Sequence, residues 1–97
     1  MPGETNYNII KYLLNAVDNN YIEKIDINNI SEYKISIKCL VSNSGKLRPI
    51  LDMIEANLYT NKKLLSESIT RYDNIITVRT FQNIVYDITV TELKNKD

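Results

Sequence analysis

The sequence predicts an α+β fold in which two helices lie on one face of a single antiparallel sheet. Helical and strand-like periodicities alternate along the 97 residues in the order helix, two strands, helix, two strands, with one possible extra C-terminal strand. The two helix–strand–strand halves also repeat each other weakly. Because each half can bury one sheet face under one helix, the pattern predicts a two-layer sandwich.

The first predicted element is an amphipathic helix that Thr5 or Asn6 can cap. The polar cluster at residues 18–20 predicts where this helix ends. Its apolar residues recur at the helical intervals of three and four: Ile9, Ile10, Leu13, Ala16 and Val17.

Two alternating stretches follow and predict a β-hairpin. Residues 21–28 place Ile25 and Ile27 on one face, and the short polar turn "NNISE" follows them. Residues 33–41 then place four apolar side chains on one face: Ile35, Ile37, Cys39 and Val41.

A second amphipathic helix is predicted after the loop at residues 42–45. Pro49 is tolerated only in the first turn of a helix, because its ring clashes with the carbonyl four residues back. The regular helix is therefore expected to begin near Lys46. Its apolar stripe consists of Leu47, Ile50, Leu51, Ile54 and Leu58.

Three strands are predicted after Asn61, with turns at residues 73–74 and 82–83. The first is ambiguous, since residues 62–72 also suit a short helix. The apolar positions that predict the three strands are Leu65 with Ile69, Ile76 with Val78, and the row Ile84, Tyr86, Ile88 and Val90.

The whole order predicts one ferredoxin-like domain, αββαββ, over residues 5–93, with flexible ends at 1–4 and 94–97. The opening Met1-Pro2-Gly3 leaves open whether the chain is a truncation.

Composition restricts the classes of function. Twelve basic residues balance twelve acidic residues, and the pI is about 6.2, which argues against a sequence-independent grip on nucleic acid or anionic lipid. With no histidine and one cysteine, Cys39, the chain has no internal disulfide and no usual zinc ligand set. No stretch approaches the roughly 18 to 20 apolar residues of a membrane span. We expect no cofactor, no metal and a protein partner.

The reactive side chains have simpler explanations than catalysis. Asp52 and Glu55 lie three apart on the second helix, but Arg48 lies four residues before Asp52 and predicts an exposed ion pair. Cys39 shares a predicted buried face with Ile35 and has no histidine to activate it. We therefore expect no enzymatic activity.

The helices carry candidate interface residues. The apolar arc of the first helix is wider than a core stripe requires, which makes Tyr12, Leu14 and Ala16 candidates for contact with a partner protein. On the second helix, Met53 and Ala56 project away from the apolar stripe. The alternative explanation is that these side chains bend over the edge of the sheet or are ordinary surface residues.

An exposed edge strand is a second candidate surface, because its unpaired N–H and C=O groups can pair with another chain. The polar outward positions Glu23, Lys34 and Lys38 would either guard such an edge or simply face water.

The strand "YIEKIDI", the loop Ser-Asn-Ser-Gly before an amphipathic helix and the final strand "VYDITVTEL" resemble the C-terminal domain of PilN-type proteins. These are inner-membrane assembly proteins of type IV pili, and PilO and the L and M components of type II secretion have similar ferredoxin-like domains. The resemblance implies a non-catalytic bacterial assembly-platform domain that pairs with itself or a sister subunit. It also implies a longer, membrane-anchored protein whose soluble domain lies on the extracytoplasmic, periplasmic side of the inner membrane.

An ACT-like regulatory domain that senses small molecules is the alternative, since it is also ferredoxin-like and dimeric. Such a domain normally begins with a strand and has a glycine-containing loop before its first helix. This chain is predicted to begin with a helix, which favours the assembly domain.

Overall fold

The computed structural model describes residues 11–15, 17–60 and 66–93. Residues 11–15 and 17–18 are helical, and we call them the N-terminal helical segment. The elements that follow are β1 (Lys24–Ser31), β2 (Lys34–Val41), a 3₁₀ turn (Ser44–Lys46), α1 (Leu47–Thr60), β3 (Ser66–Tyr72), β4 (Ile75–Thr80) and β5 (Val85–Glu92).

The five strands form one mixed sheet in the order β1-β2-β5-β4-β3. At its centre β2 and β5 run parallel, with Ile37 opposite Ile88. The pairs β1–β2, β4–β5 and β3–β4 are antiparallel. This order makes β1 and β3 the two edges of the sheet.

The predicted ferredoxin-like αββαββ fold with an antiparallel sheet under two helices is therefore wrong. The described chain is mostly strands around a mixed sheet, and α1 is its one helix with assigned bounds. Alternation of apolar residues identifies a strand and its two faces, but not which strands become neighbours. The weak repeat suggested two equivalent halves, whereas the second half is a three-stranded meander whose last strand returns beside β2.

Several local predictions are confirmed. The β1–β2 hairpin exists, although β1 begins at Lys24 rather than at Tyr21. Pro49 is the third residue of α1 and so lies in its first turn, where the missing N–H has no helical partner to lose. The ambiguous segment is a strand over Ser66–Tyr72, while residues 61–65 lie outside the described part of the chain.

The loop between β4 and β5 confirms the turn predicted at residues 82–83. Asn83 has a φ of 64°, in the left-handed region that asparagine tolerates better than most residues. The Thr80 hydroxyl accepts hydrogen bonds from the backbone N–H groups of Gln82 (3.3 Å) and Ile84 (3.2 Å). The buried Thr80 side chain thus supplies hydrogen-bond acceptors to loop N–H groups that have no strand partner.

The core lies between α1 and one face of the sheet. The α1 stripe contributes four buried residues, and Leu13 of the N-terminal helical segment joins the same cluster. Ile88 is fully buried in this cluster, and the half-buried Ile25 of β1 packs against the cluster. The buried apolar residues are Leu13, Ile22, Ile37, Cys39, Val41, Ile50, Leu51, Ile54, Leu58, Ile76, Val78, Tyr86, Ile88 and Val90.

The opposite face of the sheet, which we call the open face, is polar around its centre and carries apolar residues such as Ile75 and Tyr72. Asp87 near its centre accepts a hydrogen bond from the Thr77 hydroxyl (3.0 Å) and pairs with Lys34 (3.4 Å). Lys34 and Lys38 lie on β2, an interior strand, and are exposed. They face solvent and do not guard an edge, whereas Glu23 directly precedes the edge strand β1.

Candidate interaction surface at the β1 edge

Strand β1 extends the apolar face of the sheet beyond the part that the helix covers. In the hairpin register Ile25 lies opposite Cys39, and Ile27 lies opposite Ile37. Both β2 residues are 0% exposed, whereas Ile25 is half-buried and Ile27 is 44% exposed. The apolar row therefore continues from the core to solvent across two neighbouring strands.

The outer edge of β1 is the site's second feature. Within the described ranges no strand pairs with this edge, so its outward N–H and C=O groups are available to an added strand. A register irregularity between Asn29 and Ser31 leaves a regular stretch from Lys24 to Asn29. On the open-face side of this stretch, Lys24 Nζ lies 3.7 Å from Asp26 Oδ1.

Exposed apolar side chains also occur at the end of the sheet next to β1. The β1–β2 turn and the β4–β5 loop lie at this same end, because the Val85 N–H donates to the Tyr33 carbonyl (2.8 Å). Ile30 is 56% exposed, Tyr33 61% and Phe81 68%. Large exposed apolar groups close to an open edge are typical of interaction surfaces.

The other edge, β3, is tied to the helix. Arg71 on β3 donates hydrogen bonds to Asp52 (2.6 Å) and Glu55 (3.0 Å) on α1, and these bonds raise the pKa of the guanidinium. The Tyr59 hydroxyl of α1 donates to the Ile69 carbonyl of β3 (3.3 Å). These side-chain contacts make β1 the less constrained of the two edges.

The same contacts correct one prediction. Asp52 pairs with Arg71 across the fold and not with Arg48 along the helix. Sequence spacing could suggest only the local partner, since the position of β3 beside α1 is a long-range property. An open groove of about 550 Å³ adjoins this cluster, lined by Leu47, Arg48, Leu51, Asp52, Arg71, Asp73 and Asn74. The carboxylate pair thus has a structural role in holding β3.

The structure brings two of the predicted interface residues together. The Tyr12 hydroxyl donates to the Met53 carbonyl (3.2 Å), and both side chains are half-buried against the core. Burial raises the pKa of Tyr12. Leu14 is 52% exposed and Ala56 is exposed, while Ala16 lies outside the described residues. Tyr12 and Met53 therefore make an intramolecular contact, and the role of the set in partner binding stays a prediction.

Cys39 is buried, as the alternation predicted. It is 0% exposed on β2, and burial raises the pKa of its thiol to about 12. A thiol with such a pKa stays protonated and unreactive near neutral pH. In the ranges the structure describes, no three potential ligand residues form a group that could hold a metal ion.

Together these features define a mixed-sheet α+β domain with one covered face, one largely polar face and an edge strand, β1, that carries apolar residues and has no outer partner among the described residues. No known family model, curated protein or solved structure matches this chain. Within the described ranges, no helix has both the length and the apolar character needed to cross a membrane.

Proposed function

We propose that the chain is a non-catalytic interaction domain that holds a partner polypeptide by adding an extended strand to the outer edge of β1. The observation that carries this proposal is the apolar row that runs from buried Ile37 to exposed Ile27 at the unpaired edge. An added strand would shield Ile27 from water while its backbone bonds to β1.

The faces of β1 define what the partner strand must look like. Its residue opposite Ile27 should be apolar, because this position continues the core layer. Its residues on the other face should be polar or oppositely charged to Lys24 and Asp26. The partner is therefore an alternating polar–apolar segment rather than a helix or a small molecule.

The test uses peptides selected from a random library against the domain. Peptides that bind as added strands should shift the backbone amide NMR signals of Lys24–Asn29 most strongly. Their binding should be lost in Ile27→Lys, since a charge replaces the apolar contact. Ile75→Lys is the matched control, because Ile75 is a 37% exposed isoleucine on the interior strand β4.

The proposal fails if the selected peptides bind Ile27→Lys as tightly as the unaltered domain. It also fails if their shifts map to the helices or to the groove beside Arg71. Far-ultraviolet circular dichroism of both lysine variants would show that the fold is retained.

A narrower proposal places this interaction in a type IV pilus or type II secretion platform at the extracytoplasmic face of the inner membrane. Its support is the sequence pattern around β1, the loop at residues 42–45 and β5. The ferredoxin-like sheet that the resemblance implied is not the observed fold, and the same holds for the ACT-like alternative. Co-purification of the full protein with pilus or secretion platform subunits in inner-membrane fractions would support this placement. Recovery in the cytosol alone would overturn it.

A further inference from the structure

We infer that the strand added to β1 is β1 of a second copy of the chain, paired antiparallel about a two-fold axis at Ile27. This inference rests on the proposed function, since it names the partner that occupies the same edge. A two-fold axis perpendicular to the sheet would keep the helix-bearing faces of both copies on one side. The two five-stranded sheets would then join into one continuous sheet.

The regular part of β1 restricts the register. In a symmetric antiparallel pair the residue on the axis lies opposite its own copy, and opposite residues point to the same face. The regular stretch Lys24–Asn29 has two central residues, so the axis can pass through Asp26 or through Ile27. The Asp26 register places two carboxylates directly opposite each other, which is unfavourable.

The Ile27 register has no such conflict. It places Ile27 opposite Ile27 of the second copy on the core side, where this side chain is 44% exposed in the single chain. It places Asp26 opposite Asn28 on the open-face side and Ile25 opposite Asn29 on the core side. A register centred at Ile25 would pair only the three strand residues 24–26 in each copy, which is too short to be competitive.

The overall charge does not oppose this association. The chain carries equal numbers of basic and acidic residues, so two copies do not repel each other through net charge. Asp26 of each copy faces Asn28 of the other, and Lys24 faces the irregular part of β1 near Ile30, so no like charges lie opposite each other in this register.

Cysteine cross-linking tests the register directly. Opposite residues in an antiparallel pair have Cα atoms roughly 4.5 to 5.5 Å apart, within disulfide range. Ile27→Cys is therefore expected to form a covalent dimer on mild oxidation. Asn29→Cys should not, since its two copies would be four strand positions apart, or about 14 Å. Native Cys39 is buried and should remain a free thiol in every variant.

Ile25→Cys is the third variant. Cross-linking at Ile27→Cys well above the other two supports the inference. Equal cross-linking at all three positions indicates random collision and overturns it, as does preferred cross-linking through Ile25→Cys or none at all. Each variant is compared with the unaltered chain by circular dichroism before oxidation.

Sedimentation of the unaltered chain gives an independent measure. The apparent mass of the unaltered chain should rise with concentration toward that of a dimer. Ile27→Lys should raise the dissociation constant of the dimer about tenfold or more, because two ammonium groups then face each other. Ile75→Lys should leave it unchanged. A chain that stays monomeric overturns the second-copy inference. If library peptides still bind β1 of a monomeric chain, the proposed function stands and only the identity of the partner changes. If the peptides bind Ile27→Lys as tightly as the unaltered chain, the proposed function fails, whatever the oligomeric state.

Discussion

Thr80 is the one polar residue among the described buried side chains, and its hydroxyl organises the loop between β4 and β5. It accepts from two backbone N–H groups, those of Gln82 and Ile84, while the Thr80 N–H donates to the Ile84 carbonyl (2.9 Å). One side chain therefore closes the β4–β5 loop and holds the start of β5 in place beside β4.

We expect Thr80→Val to lower the free energy of unfolding by about 1 to 3 kcal/mol, because valine has a similar shape but cannot accept these hydrogen bonds. Urea unfolding would measure the difference. Thr80→Ser keeps the hydroxyl and loses one methyl group, so it should cost only about 1 kcal/mol. Equal stability of Thr80→Val and the unaltered chain would contradict this role for the hydroxyl.

Cys39 gives a pH dependence whose direction follows from its raised pKa. The ordinary value of the thiol is 9.0 and the folded value is about 12, so the unfolded chain ionises first as pH rises. The stability that this group contributes is complete below pH 9 and is lost between about pH 9 and pH 12.

Between pH 7 and pH 10 the loss attributable to Cys39 should be about 1 kcal/mol, since the unfolded thiol is by then mostly ionised. Urea unfolding of Cys39→Val at both pH values isolates this part from the tyrosines, because the variant lacks the thiol. The same loss in both proteins would mean that Cys39 is not the group responsible.

At the scale of elements, the parallel contact between β2 and β5 decides the topology. Their register runs from Lys34 opposite Val85 to Val41 opposite Glu92, so it joins the first hairpin to the last strand. We expect nuclear Overhauser contacts between the backbones of Ile37 and Ile88, and slow amide exchange throughout both strands, which lie inside the sheet. Absence of these contacts would require a different sheet order.

Arg71 couples β3 to α1, together with the Tyr59 hydroxyl. We expect Arg71→Met to lower the free energy of unfolding by up to about 1 kcal/mol, because it removes two partly exposed ion pairs and leaves Asp52 and Glu55 as neighbouring like charges. Arg79→Met is the control, since Arg79 is exposed on the open face. Urea unfolding at low and high salt would test the effect, which should shrink as salt increases. An equal loss from both variants would argue against the coupling.

The elements show how far the sequence can predict this fold. Residues close in sequence determine the β1–β2 hairpin, the position of Pro49 in α1 and the two C-terminal turns, and these predictions hold. The β2–β5 pairing and the Asp52–Arg71 ion pair join distant segments, and periodicity carries no signal for either. The candidate edge was predicted only as a class of site, since identifying it as β1 requires the strand order.

At the scale of the whole molecule, the asymmetry between its two sheet faces limits where a partner can bind. One face is filled by α1 and the N-terminal helical segment, and the other is polar around Asp87. Exposed apolar groups are scattered over the surface, as at Leu14 and Tyr72, but at β1 they continue an apolar row that starts in the core. Partner binding at an edge leaves both faces unchanged.

A substitution at Leu14 tests whether the dimer forms through the β1 edge or through the predicted helical surface. We expect Leu14→Glu to leave the dissociation constant of the dimer unchanged, because its exposed side chain is not on β1. Analytical ultracentrifugation would compare this variant with Ile27→Lys. Dissociation by Leu14→Glu and not by Ile27→Lys would return the interface to the predicted helical residues.

The pairing of β2 with β5 also affects how the chain can fold during synthesis on the ribosome. The β1–β2 hairpin can form as soon as residues 24–41 leave the exit tunnel, but its inner side has no neighbour until residues 85–92 emerge. Until then β2 presents a second open edge, with Ile37 and Cys39 still uncovered by the last strand. Nascent chains that stall before Val85 should therefore be the species most prone to mispairing and most in need of a chaperone.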